Sequence, residues 1–331
     1  MIVTLKAGAD ADTVRGELAA RGLWSRRFED GQAVCFVVDA HSSTVDPAAL
    51  RAIAGVESVA TARSSHPLVD AQPRAVRVGR AVVGVGAPPA FMVGPCSVES
   101  EEQIRAAARR LAPLGAQFLR GGAFKPRTSP YEFQGRGEAA LRWLRRAADD
   151  VGMHVVTEAM SSEDAAVVAE HADLVQIGSR NMHNYALLRA VGRTGRPVLL
   201  KRGMAATLEE WLNSGEYCLL HGARSVVFCE RGIRSFDPST RNVLDLGAVA
   251  LLAHVHRLPV IVDPSHGTGR REIIPALARA AMASGAAGLM LETHDAPGEA
   301  LSDGPQALLP SALAALLGEL RPRSPEMSAH A

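Results

Sequence analysis

Short apolar segments alternate with amphipathic ones through most of this chain, starting at Phe91. The apolar segments predict eight strands: Phe91–Val93, Phe118–Arg120, His154–Thr157, Leu174–Ile177, Pro197–Lys201, Ser225–Cys229, Pro259–Asp263 and Gly288–Glu292. Helical patterns fill the gaps, among them Glu101–Ala112, Glu138–Asp150, Leu208–Leu220, Asp245–His256 and Ile273–Ser284. Eight strand–helix pairs in roughly 240 residues favour a closed α/β barrel, the (β/α)8 or TIM barrel, over an open sheet. No Gly-x-Gly-x-x-Gly motif follows the first strand, so we expect no nucleotide cofactor.

The first 62 residues carry a different pattern, strand–helix–strand–strand–helix–strand. Its segments are Ile2–Lys6, Asp12–Arg21, Leu23–Phe28, Ala33–Val38, Pro47–Ala54 and Val56–Ala62. That order predicts a small ferredoxin-like (βαββαβ) domain. We therefore divide the chain into a first domain at residues 1–65, a linker and hairpin at 66–85, a barrel at 86–320 and a disordered tail at 321–331.

The C-terminal ends of the predicted barrel strands are rich in cations. In a barrel of this kind the active site collects at those ends. The cations expected there are Arg120, Lys125, Arg127, Arg180, Lys201 and Arg231. They would repel one another unless anions occupied the site, so a ligand with more than one phosphate or carboxylate is indicated. The chain has only three lysines, and two of them, Lys125 and Lys201, lie in this group.

A mixed set of potential metal ligands lies at the same strand ends. Cys96, His266, Glu292 and Asp303 offer a thiolate, an imidazole and two carboxylates, which suits manganese, iron, cobalt or zinc. A lone cysteine is more often a small buried hydrophobe, and for Cys96 alone that explanation is favoured. The cysteines and histidines expected to be structural are Cys35, Cys218, Cys229, His154, His171 and His256. The four candidate ligands are therefore specific only as a set.

Bulk composition excludes several classes of partner. The formal net charge of +1 provides no general attraction for nucleic acid or an anionic membrane. No apolar run reaches the length of a membrane span, and the N-terminus begins directly with a strand pattern. Four cysteines in 331 residues do not suggest a disulfide framework. We expect a cytoplasmic protein.

Four segments resemble 3-deoxy-D-arabino-heptulosonate 7-phosphate (DAHP) synthases. They are Gly94-Pro95-Cys96-Ser97, the stretch from Leu119 to Tyr131, the stretch from Gln176 to Asn181, and Asp263-Pro264-Ser265-His266. The resemblance is to the branch related to 3-deoxy-manno-octulosonate 8-phosphate (KDO8P) synthase, with an additional N-terminal ferredoxin-like domain. It covers about residues 75 to 320, and Lys125-Pro126-Arg127-Thr128-Ser129 is its most discriminating segment.

The resemblance implies an activity and a role for each candidate residue. The activity is condensation of phosphoenolpyruvate with D-erythrose 4-phosphate and water, giving DAHP and phosphate, the first step of the shikimate pathway to aromatic amino acids. One divalent metal, manganese in the first place, would be held by Cys96, His266, Glu292 and Asp303. Phosphoenolpyruvate would lie against Arg120, Lys125, Arg180, Lys201 and Arg231, and erythrose 4-phosphate against Arg127, Thr128 and Ser129. The expected catalytic residues are Lys125, Cys96 and His266.

Lys125 has a more specific predicted role. Its arginine neighbours are expected to lower its pKa, which would let it serve as a proton donor.

Alternatives stay open at this point. One is KDO8P synthase with arabinose 5-phosphate as acceptor, although Pro126-Arg127-Thr128 and the N-terminal domain argue against it. Another is a non-catalytic ligand-binding barrel. Such a barrel would be expected to lack one of the site residues at its strand ends, and none of them is missing from this sequence. The N-terminal domain either binds an aromatic amino acid effector, such as tyrosine or phenylalanine, or helps to assemble a homo-oligomer. Allosteric regulation is favoured, and a homotetramer or dimer is expected.

Overall fold

The computed structural model describes residues 1–30, 33–39, 42–61, 64–125 and 129–321. The chain divides into two compact units, Met1–Ser65 and His66–Ala331. Each unit has its own core. The predicted tail from residue 322 onward, and Arg127 and Thr128 of the predicted substrate site, lie outside the described residues.

The first unit is a four-stranded antiparallel sheet with two helices. Its elements are β1 (Ile2–Leu5), α1 (Ala11–Ala20), β2 (Ser25–Asp30), β3 (Ala33–Val38), α2 (Pro47–Arg51) and β4 (Val56–Ala60). The spatial strand order is β2-β3-β1-β4. Helix α1 begins after Asp10, whose carboxylate accepts the N–H groups of Asp12 and Thr13. Val3, Leu18, Phe36 and Leu50 are fully buried between sheet and helices. The predicted ferredoxin-like order is confirmed.

The second unit contains eight parallel strands that close into a barrel. They are β7 (Ala90–Gly94), β8 (Phe118–Arg120), β9 (His154–Ala159), β10 (Leu174–Ile177), β11 (Val198–Lys201), β12 (Val226–Glu230), β13 (Val260–Val262) and β14 (Gly288–Glu292). Strand β14 pairs with β7, which completes the closure. The prediction of a (β/α)8 barrel is confirmed. Strand β9 extends two residues beyond the predicted end, so Glu158 lies within it.

Helices follow the barrel strands, and most of them pack on the outside of the barrel. They are α4 (Glu101–Leu111), α5 (Gly137–Val151), α6 (Asp164–His171), α7 (Tyr185–Arg193), α8 (Leu208–Leu220), α9 (Leu246–Ala250), α10 (Pro264–Thr268), α11 (Ile274–Ala283) and α12 (Pro310–Leu320). One prediction needs correction here. The single helix expected over Asp245–His256 is an α-helix only to Ala250 and continues as a π-helix over Leu251–His256.

Side chains alternate between two cores along each barrel strand. Phe91 and Val93 point outward and pack under the helices, whereas Met92 points into the barrel. Cys229 also lies in the inner core and Cys218 in the outer one, and burial raises the pKa of each thiol to about 12. These two cysteines are therefore buried packing residues, as predicted.

A hairpin closes the N-terminal end of the barrel. Strands β5 (Ala75–Val78) and β6 (Ala81–Gly84) pair antiparallel, and Val76, Val78 and Val83 pack on the inner core. The N–H of Arg80, in the hairpin turn, donates to Nε2 of His154 at the start of β9 (3.1 Å). Among the described residues, this hairpin covers the N-terminal end of the inner core, opposite the C-terminal ends of the strands.

The segment predicted as a linker is partly helical, which corrects the prediction. Helix α3 spans Pro67–Ala71, and Val69 is fully buried against the barrel unit. The N–H groups of Leu68 and Val69 both donate to the carboxylate of Glu216 in α8. A proline at the first helical position and an acceptor for the free N–H groups suffice to start a short helix.

No helix among the described residues is long and apolar enough to span a membrane.

Candidate active site

A cavity of about 250 Å³ opens at the C-terminal ends of the barrel strands. All five residues predicted to bind phosphoenolpyruvate line it: Arg120, Lys125, Arg180, Lys201 and Arg231. Arg120, Lys201 and Arg231 are buried, whereas Arg180 is exposed at the mouth. The strands that carry them are separated in sequence, and only closure of the barrel brings their ends to one cavity.

The four candidate metal ligands form a cluster at one side of this cavity. One ligand atom from each of Cys96, His266, Glu292 and Asp303 lies within 4.8 Å of the other three. Cys96 follows β7, Glu292 ends β14, His266 lies in α10, and Asp303 lies in the loop after β14. The backbone there is tightly packed. A Cβ atom at Gly94 would lie 2.0 Å from the carbonyl oxygen of Arg120, so glycine is required.

Asp263 orients the imidazole of His266 toward the cluster. Its Oδ2 lies 2.7 Å from Nδ1 of His266, so Nδ1 carries the proton and Nε2 presents a lone pair. Burial lowers the pKa of His266, against the attraction of Asp263 and Glu292. That Nε2 lies 3.1 Å from Oε1 of Glu292. Two electron-pair donors at this separation repel each other unless a cation lies between them, and this arrangement fits a metal ion.

Cys96 completes the donor set as a protonated thiol. Burial raises its pKa to about 12, with a further contribution from the charge of Glu292. Its Sγ lies 3.1 Å from Oδ2 of Asp303 and 2.9 Å from Nζ of Lys125. A bound metal ion replaces a thiol proton, because the thiolate is the form that coordinates metals.

The expected low pKa of Lys125 is wrong. Burial lowers the pKa of Lys125, but the interaction of its ammonium group with the sulfur of Cys96 and the negative charge of Glu292 outweigh burial and the repulsion from Arg120, so the pKa lies above its ordinary value. The error has a clear physical origin. Arg120 is itself paired with Glu292, with Nη1 and Oε1 at 2.5 Å, so its charge is largely compensated.

Ser129 is not brought into the cavity. Among the described residues that line the cavity, Ser129 is absent, and its Oγ accepts the N–H of Tyr131 at 3.3 Å. Two of the three residues predicted for erythrose 4-phosphate, Arg127 and Thr128, lie outside the described part of the chain.

Several polar residues of the site were not among the predicted site residues. Glu158 and Gln176 line the cavity and are joined by a hydrogen bond of 2.9 Å. Asp263 accepts from Nζ of Lys201 as well as from His266. Glu158 and Asp263 lie at the ends of predicted strands, and this position could have identified them as site residues. Arg241 lies in a loop and Gln306 in the short 3-10 helix Gly304–Gln306, and no periodic pattern indicates either residue.

Arg202 follows the cavity-lining Lys201 but belongs to a different network. Its guanidinium pairs with Glu230 (3.1 Å) and Asp245 (2.8 Å). It is not among the described residues that line the cavity, and its role is to hold strands and helices together.

Comparisons with known proteins agree with this architecture. The model of the DAHP synthetase I family matches residues 64–324. A phospho-2-dehydro-3-deoxyheptonate aldolase of Thermotoga maritima is 52% identical over 218 residues, which is 66% of this chain and 64% of that protein. A 2-dehydro-3-deoxyphosphooctonate aldolase of Acidithiobacillus ferrooxidans is 34% identical over 235 residues, covering 66% of this chain and 83% of that protein.

A solved structure extends the similarity to both units. The crystal structure of the phospho-2-dehydro-3-deoxyheptonate aldolase (DAHP synthase) of Thermotoga maritima superposes with a TM-score of 0.74 at 40% identity, covering 96% of this chain and 95% of that one. A truncated form of the Thermotoga maritima synthase gives a TM-score of 0.72 and covers 78% of this chain. The family predicted from the sequence motifs is confirmed, and the chain belongs to the DAHP synthetase I family of enzymes.

Proposed function

We propose that this chain is a metal-dependent DAHP synthase. The reaction joins phosphoenolpyruvate, D-erythrose 4-phosphate and water, and releases DAHP and inorganic phosphate. The observation that carries the proposal is one cavity lined by five cations, with an adjoining cluster of a thiol, an imidazole and two carboxylates, of which His266 and Asp303 also line the cavity. Neither group alone would suggest a condensation of two anionic substrates.

The cations suit phosphoenolpyruvate, which carries a phosphate and a carboxylate. Arg120, Lys125, Arg180, Lys201 and Arg231 face the same space. Burial lowers the pKa of Arg231, a cost that an anion in the cavity would offset. Fixed cations around both anionic groups orient the enol and stabilise charge that develops as phosphate leaves.

The donor set suits a borderline divalent metal ion. Cys96, His266, Glu292 and Asp303 would hold it, manganese being the first expectation and iron, cobalt or zinc the alternatives. When bound, the ion supplies Lewis-acid polarisation of the acceptor's aldehyde group. Asp263 supports the site from outside by fixing the tautomer of His266.

The chemistry balances without any further co-reactant. C3 of phosphoenolpyruvate forms a bond to the aldehyde carbon, and the aldehyde oxygen takes up a proton. Water adds to C2 and gives up one proton to solvent. The resulting hemiketal releases phosphate by cleavage of the C2–O bond, and its hydroxyl proton leaves as the ketone forms. Lys125 is the proposed proton donor to the aldehyde oxygen. The raised pKa of Lys125 keeps its ammonium group protonated through neutral pH. After each turnover, solvent reprotonates Lys125.

Two findings favour erythrose 4-phosphate over arabinose 5-phosphate as the acceptor. The heptonate aldolase of Thermotoga maritima is more similar than the octonate aldolase of Acidithiobacillus ferrooxidans, 52% against 34% identical. The segment Lys125-Pro126-Arg127-Thr128-Ser129 also resembles the DAHP branch. We assign Arg127 and Thr128 to the acceptor's phosphate, and Ser129 only through its place in that segment.

The biological setting follows from the proposed activity. DAHP formation would be the first step of the shikimate pathway and so of aromatic amino acid biosynthesis. The first unit, with its separate core, would bind an aromatic amino acid and regulate the barrel, in a homotetramer or dimer. A cytoplasmic location remains a prediction from the sequence.

The deciding experiment measures loss of phosphoenolpyruvate by the purified, manganese-loaded protein. Erythrose 4-phosphate and arabinose 5-phosphate are tested separately, each with and without a chelator. Turnover with erythrose 4-phosphate alone, abolished by chelator, is the expected result. Turnover with arabinose 5-phosphate alone would identify a KDO8P synthase, and no turnover with either would indicate a non-catalytic barrel.

Replacing Cys96 tests the metal site separately. In Cys96→Ser, metal-dependent turnover should fall at least about 100-fold, because Lewis-acid stabilisation is worth several kcal/mol. Cys35→Ser is the matched control, since Cys35 lies in the first unit and is a free, half-buried cysteine. Full activity of Cys96→Ser in the presence of chelator would contradict the metal site.

A further inference from the structure

Arg241 reaches the metal cluster from a loop that the sequence analysis did not single out. Its backbone N–H donates to the carbonyl of Thr268, at the end of α10, and its side chain packs over Gly269. From there Nη1 lies 3.1 Å from Oε1 of Gln306 and 3.5 Å from Oδ1 of Asp303. The guanidinium thus contacts one candidate ligand directly and a second through Gln306.

Gln306 connects Arg241 to Glu292. Its Oε1 accepts from Arg241, and its Nε2 donates to Oε2 of Glu292 at 2.5 Å. Gln306 and Glu292 are both buried, so neither has water as a substitute partner. Because a guanidinium can only donate, it selects the orientation of the amide in which oxygen faces Arg241 and nitrogen faces Glu292. The opposite orientation would place the amide oxygen against a buried carboxylate.

The backbone of Asp303 is in the left-handed region, with φ of 51°, so contacts from neighbouring residues are needed to hold it there. Its loop is tied down on both sides. Ser302 and Ser97 share a hydrogen bond between their hydroxyl groups (2.5 Å), and Arg271 donates to the carbonyl of Pro305 (2.9 Å). These contacts fix the backbone, whereas the charge of Arg241 acts on the carboxylate itself.

We propose that Arg241 is a positioning residue that sets the metal affinity of the cluster by fixing both carboxylate ligands, Asp303 directly and Glu292 through Gln306. The inference rests on the proposed metal site. It assigns Arg241 to the ligands and not to the substrate, even though its side chain also lines the cavity. Groups that orient metal ligands typically change metal affinity about 10–100-fold when removed.

The test is a direct binding measurement with Co²⁺ alone, read from the absorption of the cobalt–thiolate pair and by competition with a chelating dye. Arg241→Met removes the guanidinium and keeps an unbranched stem over Gly269. Its dissociation constant for Co²⁺ should rise about 10–100-fold relative to the unsubstituted protein. Arg241→Lys, which keeps a cationic donor, should recover part of that loss.

Gln306→Met and the double variant test the connection. If Arg241 acts through Gln306, the double variant should lose less affinity than the product of the two single losses. Arg279→Met is the matched control, because Arg279 is an exposed residue of α11 paired with Glu319. Thermal unfolding shows whether each variant is folded.

The outcomes separate this inference from the proposed function. If the unsubstituted protein binds no Co²⁺, the proposed metal site itself is wrong. If it binds Co²⁺ and Arg241→Met binds equally tightly, the positioning role is overturned. Unchanged Co²⁺ affinity with a raised KM for the aldose phosphate would instead make Arg241 a substrate-binding residue.

Discussion

At the scale of single residues, the pairing of Lys125 with Cys96 matters most for the chemistry. Nζ of Lys125 lies 2.9 Å from the sulfur and 3.3 Å from the carbonyl oxygen of Cys96, and the side-chain stem passes close to Gly122. We expect Lys125→Arg to lower kcat by about 10²–10⁴-fold, because arginine keeps the charge but does not give up a proton. Steady-state kinetics with phosphoenolpyruvate as the varied substrate measures this.

The pH dependence provides an independent check on Lys125. Since its pKa lies above the ordinary 10.5, the protonated form persists through neutral pH, and kcat should show no loss assignable to Lys125 between pH 7 and pH 9. Unchanged turnover in Lys125→Arg would remove Lys125 from the role of proton donor and leave it as a fixed charge.

At the scale of elements, Asp173 joins a helix to two strands. It precedes β10, and its Oδ2 accepts from Nη1 of Arg145 in α5 and from the N–H of Val155 in β9, both at 2.7 Å. Asp173→Asn should lower the free energy of unfolding by about 1.5–3 kcal/mol at pH 7, the usual value of hydrogen bonds to a charged group. Urea unfolding followed by circular dichroism measures it.

The same substitution has a defined pH dependence. Burial raises the pKa of Asp173, but the Val155 N–H and the Arg145 guanidinium outweigh it and lower the pKa below 3.8. The stabilisation is therefore complete above the unfolded-state pKa and is lost as pH falls through the lower folded-state value. The difference between protein and variant should shrink below about pH 4.

Asp149→Asn is the matched control for Asp173. Asp149 pairs with the same Arg145, but its side chain is 63% exposed. Its loss should cost under about 1 kcal/mol, as is usual for surface ion pairs. Equal effects of the two substitutions would contradict the importance of the partly buried contact of Asp173.

At the scale of the whole molecule, the boundary between the two units lies after Ser65. All described site residues lie in the second unit, and α3 belongs to it through Val69. A protein lacking residues 1–65 should fold and retain turnover, but lose inhibition by aromatic amino acids if the first unit is regulatory. Inhibition that survives this deletion would place the effector site elsewhere.

Removing residues 1–71 should be more damaging than removing 1–65. The longer deletion exposes the surface covered by Val69 and leaves Glu216 without its two N–H partners. Burial of one valine side chain is worth about 1.5–3 kcal/mol, so the longer deletion should unfold at lower urea concentration. Equal stabilities would show that α3 contributes nothing to the barrel.

The sequence by itself determined the barrel, the ferredoxin-like unit and the five cavity cations assigned to phosphoenolpyruvate. The reason is periodicity. Once eight apolar segments are read as parallel strands, the residue after each one must lie at the same end of the barrel. In this way Cys96, which follows β7, and Glu292, which ends β14, could be predicted at the same end of the barrel.

Only the tertiary structure decided which charges face each other. Lys125 was expected to be dominated by arginines, but Glu292 compensates Arg120, and the pKa of Lys125 rises. Arg241 lies in a loop and Gln306 in a three-residue 3-10 helix, neither with a repeating pattern, so their contacts with the carboxylate ligands arise from three-dimensional packing alone. The pattern along a chain predicts which end of the barrel a side chain occupies, whereas protonation and ligand orientation depend on distances of a few ångströms between distant segments.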